Sequence, residues 1–174
     1  MLTIIGLGNP EKKYEHTRHN FGFLVLEALR QKFTKVDWKK KKECLVAEGS
    51  ILNKPVKLVL PQTFMNNSGA ALANSFDKKI INDCIVIHDD LDLLFGSFKL
   101  QKNISSAGHR GVESIIETFG TKDFYRLRLG IGHEPKNPDT EKFVLEKFTK
   151  EEMARLPEII QLATDKIIEF IKNE

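Results

Sequence analysis

At 174 residues and 41% hydrophobic side chains, the chain can bury one sizeable core, so a single domain spanning residues 1–174 is expected. A formal charge of +3 is too small to mark a nucleic-acid binder by itself, and no apolar run approaches the ~20 residues a membrane span needs. Met1 leads into a strand-like segment instead of a secretory signal, which points to the cytoplasm, and the lone Cys44 and Cys84 lack the spacing of a zinc site or disulfide frame.

In chain order, Leu2 to Leu7 reads as a buried strand running into a Gly-Asn-Pro turn. After a long loop, Phe21 to Phe33 has apolar residues at Phe21, Val25, Ala28 and Leu29, a helical period. Lys39 to Lys42 reads as a solvated loop or hairpin tip. Leu45 to Leu52 and Val56 to Leu60 form two strands around Asn53-Lys54-Pro55. Ser68 caps a helix to about Phe76, and Cys84 to His88 is an apolar strand that stops at Asp89. Ser97 to Leu100 is a further strand, Val112 to Phe119 a helix closed by Gly120, and Tyr125 to Ile131 alternates like a strand. From Thr149 a Thr149-x-x-Glu152 capping box opens an amphipathic helix bearing Met153, Leu156, Ile160, Ala163, Ile167 and Ile171, which Pro157 should kink or restart. Strands alternating with helices predict an α/β fold, a three-layer sandwich whose twisted mixed β-sheet is flanked by helices, because the Leu45 to Leu60 hairpin demands an antiparallel pair.

Ligands of open α/β sheets collect beyond the strand ends, here after Leu7, Leu60 and His88. The first loop holds Asn9, Tyr14, His16, Arg18, His19 and Asn20, the second Phe64 and Asn66, the third Asp89, Asp90 and Asp92. Gly6-Leu7-Gly8 invites a dinucleotide reading, but Glu11 stands where the next glycine belongs and Pro10 follows at once. No P-loop lysine motif and no Gly-x-Ser-x-Gly elbow occurs. His16-x-x-His19 on a loop lacks the spacing of helical zinc ligands, so no metal is expected. What remains is a histidine oriented by a carboxylate. A neutral imidazole takes a proton from water near neutral pH, and an aspartate on its other nitrogen fixes the tautomer and stabilises the imidazolium. His19 with Asp89 supplies that minimum, against the ordinary structural role of a single histidine.

Six motifs then occur in order: Gly6-Leu7-Gly8-Asn9-Pro10, Tyr14-x-x-Thr17-Arg18-His19-Asn20-x-Gly22, Pro61-x-Thr63-Phe64-Met65-Asn66-x-Ser68-Gly69, His88-Asp89-Asp90-Leu91-Asp92-Leu93, Ser106-Ala107-Gly108-His109-x-Gly111 and Phe124-x-Arg126-Leu127-Arg128-x-Gly130-Ile131-Gly132. Their order and spacing resemble bacterial peptidyl-tRNA hydrolase over nearly the whole chain. The resemblance implies a cofactor-free, metal-independent esterase cleaving the bond between a peptide's C-terminus and the 3′-terminal ribose of tRNA, with peptidyl-tRNA as its partner. It implies that His19 is the general base, that Asp89 keeps it basic, and that Asn9 distinguishes a peptidyl from a free aminoacyl group. Asn66 would hydrogen-bond the substrate and Tyr14 and Phe64 line the pocket for the tRNA end. Lys99, Lys102 and Arg128, with Arg126, resemble a clamp on acceptor-stem phosphates.

Three positions depart from the family pattern. Glu11 stands for a usual glycine, a second glycine beside Gly108 ahead of His109 is missing, and Arg110 replaces an asparagine. Arginine donates but cannot accept, so Arg110 is expected to contact phosphate or ribose. Two rivals stand beside the esterase: a non-catalytic RNA-binding relative and a metal-dependent hydrolase. With no oligomerisation signal, a monomer is expected.

Overall fold

The computed structural model describes residues 1–34, 36–133 and 136–174. Its sheet comprises β1 (Leu2–Gly6), β2 (Lys39–Lys41), β3 (Cys44–Ile51), β4 (Lys54–Pro61), β5 (Cys84–Leu94), β6 (Phe98–Lys102) and β7 (Tyr125–Gly132), in the order β2-β3-β4-β1-β5-β7-β6. The central strands β4, β1, β5 and β7 run parallel, while β2, β3 and β6 are antiparallel to their neighbours. The sheet is therefore mixed, as the hairpin requires. Its turn is tighter than the sequence suggests: Leu52 and Asn53, both at positive φ, make a two-residue connection, and Lys54 and Pro55 already belong to β4.

Strand alternation assigns the helices to two layers. Ile4, Leu58, Ile85, Ile87, Leu127 and Leu129 pack against α1 (Phe21–Arg30) and α5 (Lys150–Asn173). Ile5, Val59, Val86 and Phe124 face α2 (Ser68–Ser75) and α3 (Arg110–Phe119) on the other side. Helices on both faces of a mixed sheet make the expected three-layer sandwich. Each fully buried Leu or Ile stabilises it by roughly 1.5–3 kcal/mol relative to exposure.

Several elements differ from the sequence reading. β5 runs through Asp89 and Asp90 to Leu94, because both residues keep pairing with Leu129 and Gly130 of β7 while their carboxylates find partners. Lys39–Lys41 is an edge strand, its lysines exposed as befits an edge that must resist further pairing. Ser68 is the first helical residue, not the cap: its hydroxyl donates to Met65 O at 2.8 Å. Helix α5 passes through Pro157 unbroken. Pro157 lies on the exposed side, where the carbonyl it orphans meets solvent, and Leu156, Ile159, Ala163, Ile167 and Ile171 hold the opposite face. That stripe uses Ile159, whereas Met153 is exposed and Ile160 half-buried. A short helix with no forecast, α4 (Thr140–Leu145), precedes α5.

The chain leaves β1 for α1 on one face and, past β5 and β6, enters α3 on the other. The crevice at the C-terminal ends of β1 and β5 is thus a topological switch point, where open α/β sheets hold ligands.

Candidate active site

The loop after β1 is built to hold one side chain. Leu7 N donates to Ile87 O at 3.0 Å, and single turns of 3-10 helix at Lys12–Tyr14 and Arg18–Asn20 lead into α1. Gly22, in the first turn of α1, lies so close to the strand ends that a Cβ there would sit 2.7 Å from both Leu7 N and Leu7 O. This close approach lowers the 3-10 turn onto the switch point.

Arg18, His19 and Asn20 then anchor in three directions. The Asn20 amide brackets the Asn9 peptide, accepting from Asn9 N at 2.8 Å and donating to Asn9 O at 2.9 Å. The Arg18 side chain, only 3% exposed, donates to Lys147 O at 3.0 Å and to Glu152 Oε2 at 2.8 Å, with its guanidinium 4.2 Å from the Phe143 ring centre. Glu152 is also the capping-box residue of α5, so one carboxylate ties the loop after β1 to that helix. Between these anchors His19 points at β5, its Nδ1 2.9 Å from each oxygen of Asp89.

Asp89 is 2% exposed and has a second imidazole partner: His109 Nε2 lies 2.9 Å from Oδ1. Burial opposes ionisation, but the His19 and His109 rings outweigh it and hold the carboxyl well below the ordinary carboxylate range. The group is therefore a carboxylate receiving two ring N–H donors. With Nδ1 of His19 engaged this way, Nε2 is the nitrogen left to face the cleft. A third histidine, His88, lies beneath. It is fully buried, donates from Nδ1 to Asp89 O at 2.7 Å, and meets His109 edge-on with ring centres 4.6 Å apart. Burial first, then His109 and Arg126, keep His88 well below the usual histidine range.

The cleft above encloses about 320 Å³ and is lined by Asn9, Tyr14, His19, Phe64, Asn66, Arg110 and residues of α4. Asn9 is oriented by Met65 N, which donates to its Oδ1 at 2.8 Å, so its Nδ2 is turned toward the cleft. Tyr14 and Phe64 meet edge-on, ring centres 6.3 Å apart, with Phe64 48% exposed. Asn66 is exposed on the 3-10 turn Met65–Asn67. Arg110 pairs with Glu141 of α4 across the mouth. A second cavity of about 380 Å³, lined by Asp89, Asp90, Asp92, His133 and Lys136, shares Gly108, His109 and Thr140 with the first.

The basic residues divide. Lys99 stands directly opposite Arg128 across β6 and β7, so both share the α3 face with Arg126. Arg128 is committed to Asp90, 2.7 Å from Nε, and to Gln101 at 2.7 Å. Arg126 is 2% exposed, donates to Ser105 O, and is pushed down to about 10 by burial. Lys102 lies on the opposite face, above the Tyr125 ring and 3.3 Å from Asp123.

His109, Arg18 and Asn20 join the site without a role that the sequence alone assigns, apart from Arg18's place in a basic cluster. Their signal was present: His109 immediately precedes a helical period, where a side chain caps, and Arg18 and Asn20 flank the base. His19, Asp89 and His109 also offer ligand atoms within 4.8 Å of one another, a spacing a divalent ion can bridge.

An α/β sandwich with a carboxylate-oriented histidine at the switch point, opening into a cleft walled by amides and aromatics, fits the class of hydrolases. The comparisons narrow this class. The profile of the peptidyl-tRNA hydrolase family matches residues 3–174, and the chain belongs to that family. A peptidyl-tRNA hydrolase of Thermodesulfovibrio yellowstonii is 43% identical over 99% of this chain and 94% of its own. One from Mycoplasma mycoides is 45% identical over 99% and 92%. The crystal structure of peptidyl-tRNA hydrolase from Acinetobacter baumannii superposes with a TM-score of 0.83 at 30% identity, covering 99% of this chain and 93% of that one.

Proposed function

We propose that the protein hydrolyses the ester joining a peptide's C-terminal carboxyl to the terminal ribose of tRNA, returning tRNA from abortive translation. The observation that carries this is the His19–Asp89 pair, at 2.9 Å, beneath a cleft bearing the Asn9 and Asn66 amides in a member of this family. His19 Nε2 accepts a proton from water as the oxygen attacks the ester carbonyl, and Asp89 stabilises the imidazolium. The Asn66 amide donates to the developing oxyanion. Collapse expels the ribose oxygen, which takes the proton back from His19, leaving a free peptide and tRNA.

Asn9 Nδ2 donates to a peptide carbonyl, an acceptor that a free aminoacyl group lacks at that position. Tyr14 and Phe64 receive the terminal base. Arg110 exchanges Glu141 for a phosphate or ribose oxygen when substrate enters, an exchange supported by the weakness of exposed ion pairs, roughly 0–1 kcal/mol. Lys99 and Arg128 hold acceptor-stem phosphates on the α3 face, and Lys102 reaches the same nucleic acid from the far side of β6. In this reading the protein acts as a monomer. No helix among the described residues is long and apolar enough to cross a membrane, and a tRNA substrate supports the expected cytoplasmic location.

The test is cleavage of N-acetylaminoacyl-tRNA in excess EDTA, with His19→Ala alongside. We expect full turnover for the native chain and a loss of roughly 10²–10⁴-fold for the variant, with tRNA binding retained. Binding without turnover would favour a non-catalytic RNA-binding protein. Activity abolished by EDTA and restored by zinc would move the chemistry to an ion held by His19, Asp89 and His109.

A further inference from the structure

Two imidazoles share the Asp89 carboxylate and a third, His88, donates to the backbone oxygen of the same residue, yet a general base needs only one. His19 and His109 are 5.0 Å apart between ring centres, His109 and His88 4.6 Å. What separates their roles is where each ring is tied to the backbone. His109 is the N-cap of α3, and its Nδ1 accepts from Val112 N at 3.3 Å. A nitrogen that accepts carries no proton, so the ring's proton sits on Nε2, the atom 2.9 Å from Asp89 Oδ1. His88 has the opposite tautomer: Nδ1–H donates to Asp89 O, and Nε2 is buried without a partner among the described residues. His19 alone has one nitrogen on Asp89 and the other turned to the cleft.

We propose that His109 is a positioning residue: clamped at Nδ1 by the head of α3, it presents a fixed Nε2–H to Asp89 and leaves His19 as the imidazole that takes the proton of the attacking water. This rests on the general-base reading of His19. The choice of histidine at this cap follows. Asn, Asp, Ser or Thr caps a helix equally well, but only a ring can accept from the backbone on one edge and donate to a buried carboxylate on the other. His109 fixes the carboxylate at Oδ1, which keeps it aimed at His19, and shares its charge, so His19 releases the proton again to the ribose oxygen.

The surrounding charges leave this division intact. Arg126 on β7 acts on His88, Asp90 is engaged by Arg128, Asp92 stands 3.7 Å from Lys136, and His133 packs on the Phe143 ring at 4.9 Å. Arg110, the next residue, is drawn outward to Glu141.

The discriminating variant is His109→Asn, which keeps an N-cap acceptor for Val112 N–H but is too short to bring a donor to Asp89. We expect thermal stability close to native, kcat lowered roughly 10- to 100-fold, and KM little changed. The acid limb of the kcat/KM profile moves to higher pH, because a carboxylate relieved of one donor holds the His19 imidazolium more strongly. Long-range ¹H–¹⁵N spectra of the native protein should show His109 with Nδ1 bare and Nε2 protonated throughout the pH range of activity. Three results would each overturn the assignment: the reverse tautomer, a native acid limb in His109→Asn, or a rate loss that merely tracks loss of folded protein. Full turnover in His19→Ala would instead sink the general-base reading, while the tautomer spectrum would still stand or fall on its own.

Discussion

Asp89→Asn tests the site most sharply, because the change is nearly isosteric and its effect follows from donors and acceptors alone. The native carboxylate accepts from two ring nitrogens at 2.9 Å. An asparagine has one acceptor oxygen and one donor NH₂. The His109 proton is fixed on Nε2 by Val112 N–H, so the oxygen goes to His109 and the NH₂ turns toward His19. His19 Nδ1 must then be bare, which moves the ring proton to Nε2, the atom that should receive one from water. General-base assistance, worth roughly 10²–10⁴-fold, is lost. The same substitution in a Ser-His-Asp triad costs about 10⁴-fold by the same tautomer error. A loss of about 10³-fold in kcat corresponds to ~4 kcal/mol at 1.36 kcal/mol per decade. Asp89 is 2% exposed and acts through His19 in the proposed mechanism, so KM should stay within about threefold while kcat/KM falls with kcat. Steady-state cleavage of N-acetylaminoacyl-tRNA near neutral pH, with melting temperature as control, measures all of this. A kcat within tenfold of native in a folded variant would refute the orienting role of Asp89.

The same carboxylate makes stability depend on acid. Its folded value lies below the unfolded one, so on acidification the unfolded chain binds the proton first; the stabilisation is complete above the ordinary carboxylate range and drains away below it. Melting temperature should therefore fall more steeply between about pH 5 and pH 2 in the native protein than in Asp89→Asn, and parallel curves would contradict it. Arg18→Lys keeps a charge for Glu152 but loses the fork to Lys147 O and the plane on Phe143. We expect a loss of about 2 kcal/mol, a drop of ~4–8 °C in Tm, and a melting point within 1 °C of native would refute the hub. Glu11→Gly should act the other way. Glu11 sits at φ 83°, ψ 136°, a region few non-glycine residues tolerate, and its exposed pair with Lys13 contributes little, so relief of about 1 kcal/mol should raise Tm by ~2–4 °C. A lower Tm would mean that the loop is not strained there.

Much of this architecture is legible in the sequence because it depends on period and punctuation. Ile4 and Ile5 alternate between layers, Thr149 and Glu152 cap α5, and Gly120 closes α3 in the left-handed region at φ 68°. What escaped detection depends on partners distant along the chain. Asp89 and Asp90 look like strand breakers until His19 and Arg128 arrive to satisfy them, so β5 seems to end too soon. The ends of α4 face the same difficulty: six residues carry too little period to announce a helix, and its anchor is Phe143 under the Arg18 guanidinium. His109 is adjacent to Arg110 in sequence, yet its partner lies twenty residues back on another element.

Two loops beside the site show what fixes its geometry. Glu11 keeps φ 83°, and Ala107 keeps φ 51° beside Gly108 at φ 80°, although an L side chain disfavours each of those positions. Neither segment takes this shape from local preference. Asn20 grips the Asn9 peptide from one side and Tyr14 N closes on Glu11 O at 3.0 Å from the other, so residue 11 must adopt whatever backbone joins them. Likewise His109 N closes on Ser106 O at 3.1 Å while its ring is held between Val112 and Asp89, which leaves Ala107 and Gly108 to make the turn. The strain is imposed by contacts packed around His19, which involve Asn9, Asn20, Asp89 and His109. A loop can hold a non-glycine residue at positive φ so long as both of its ends are fixed to that set.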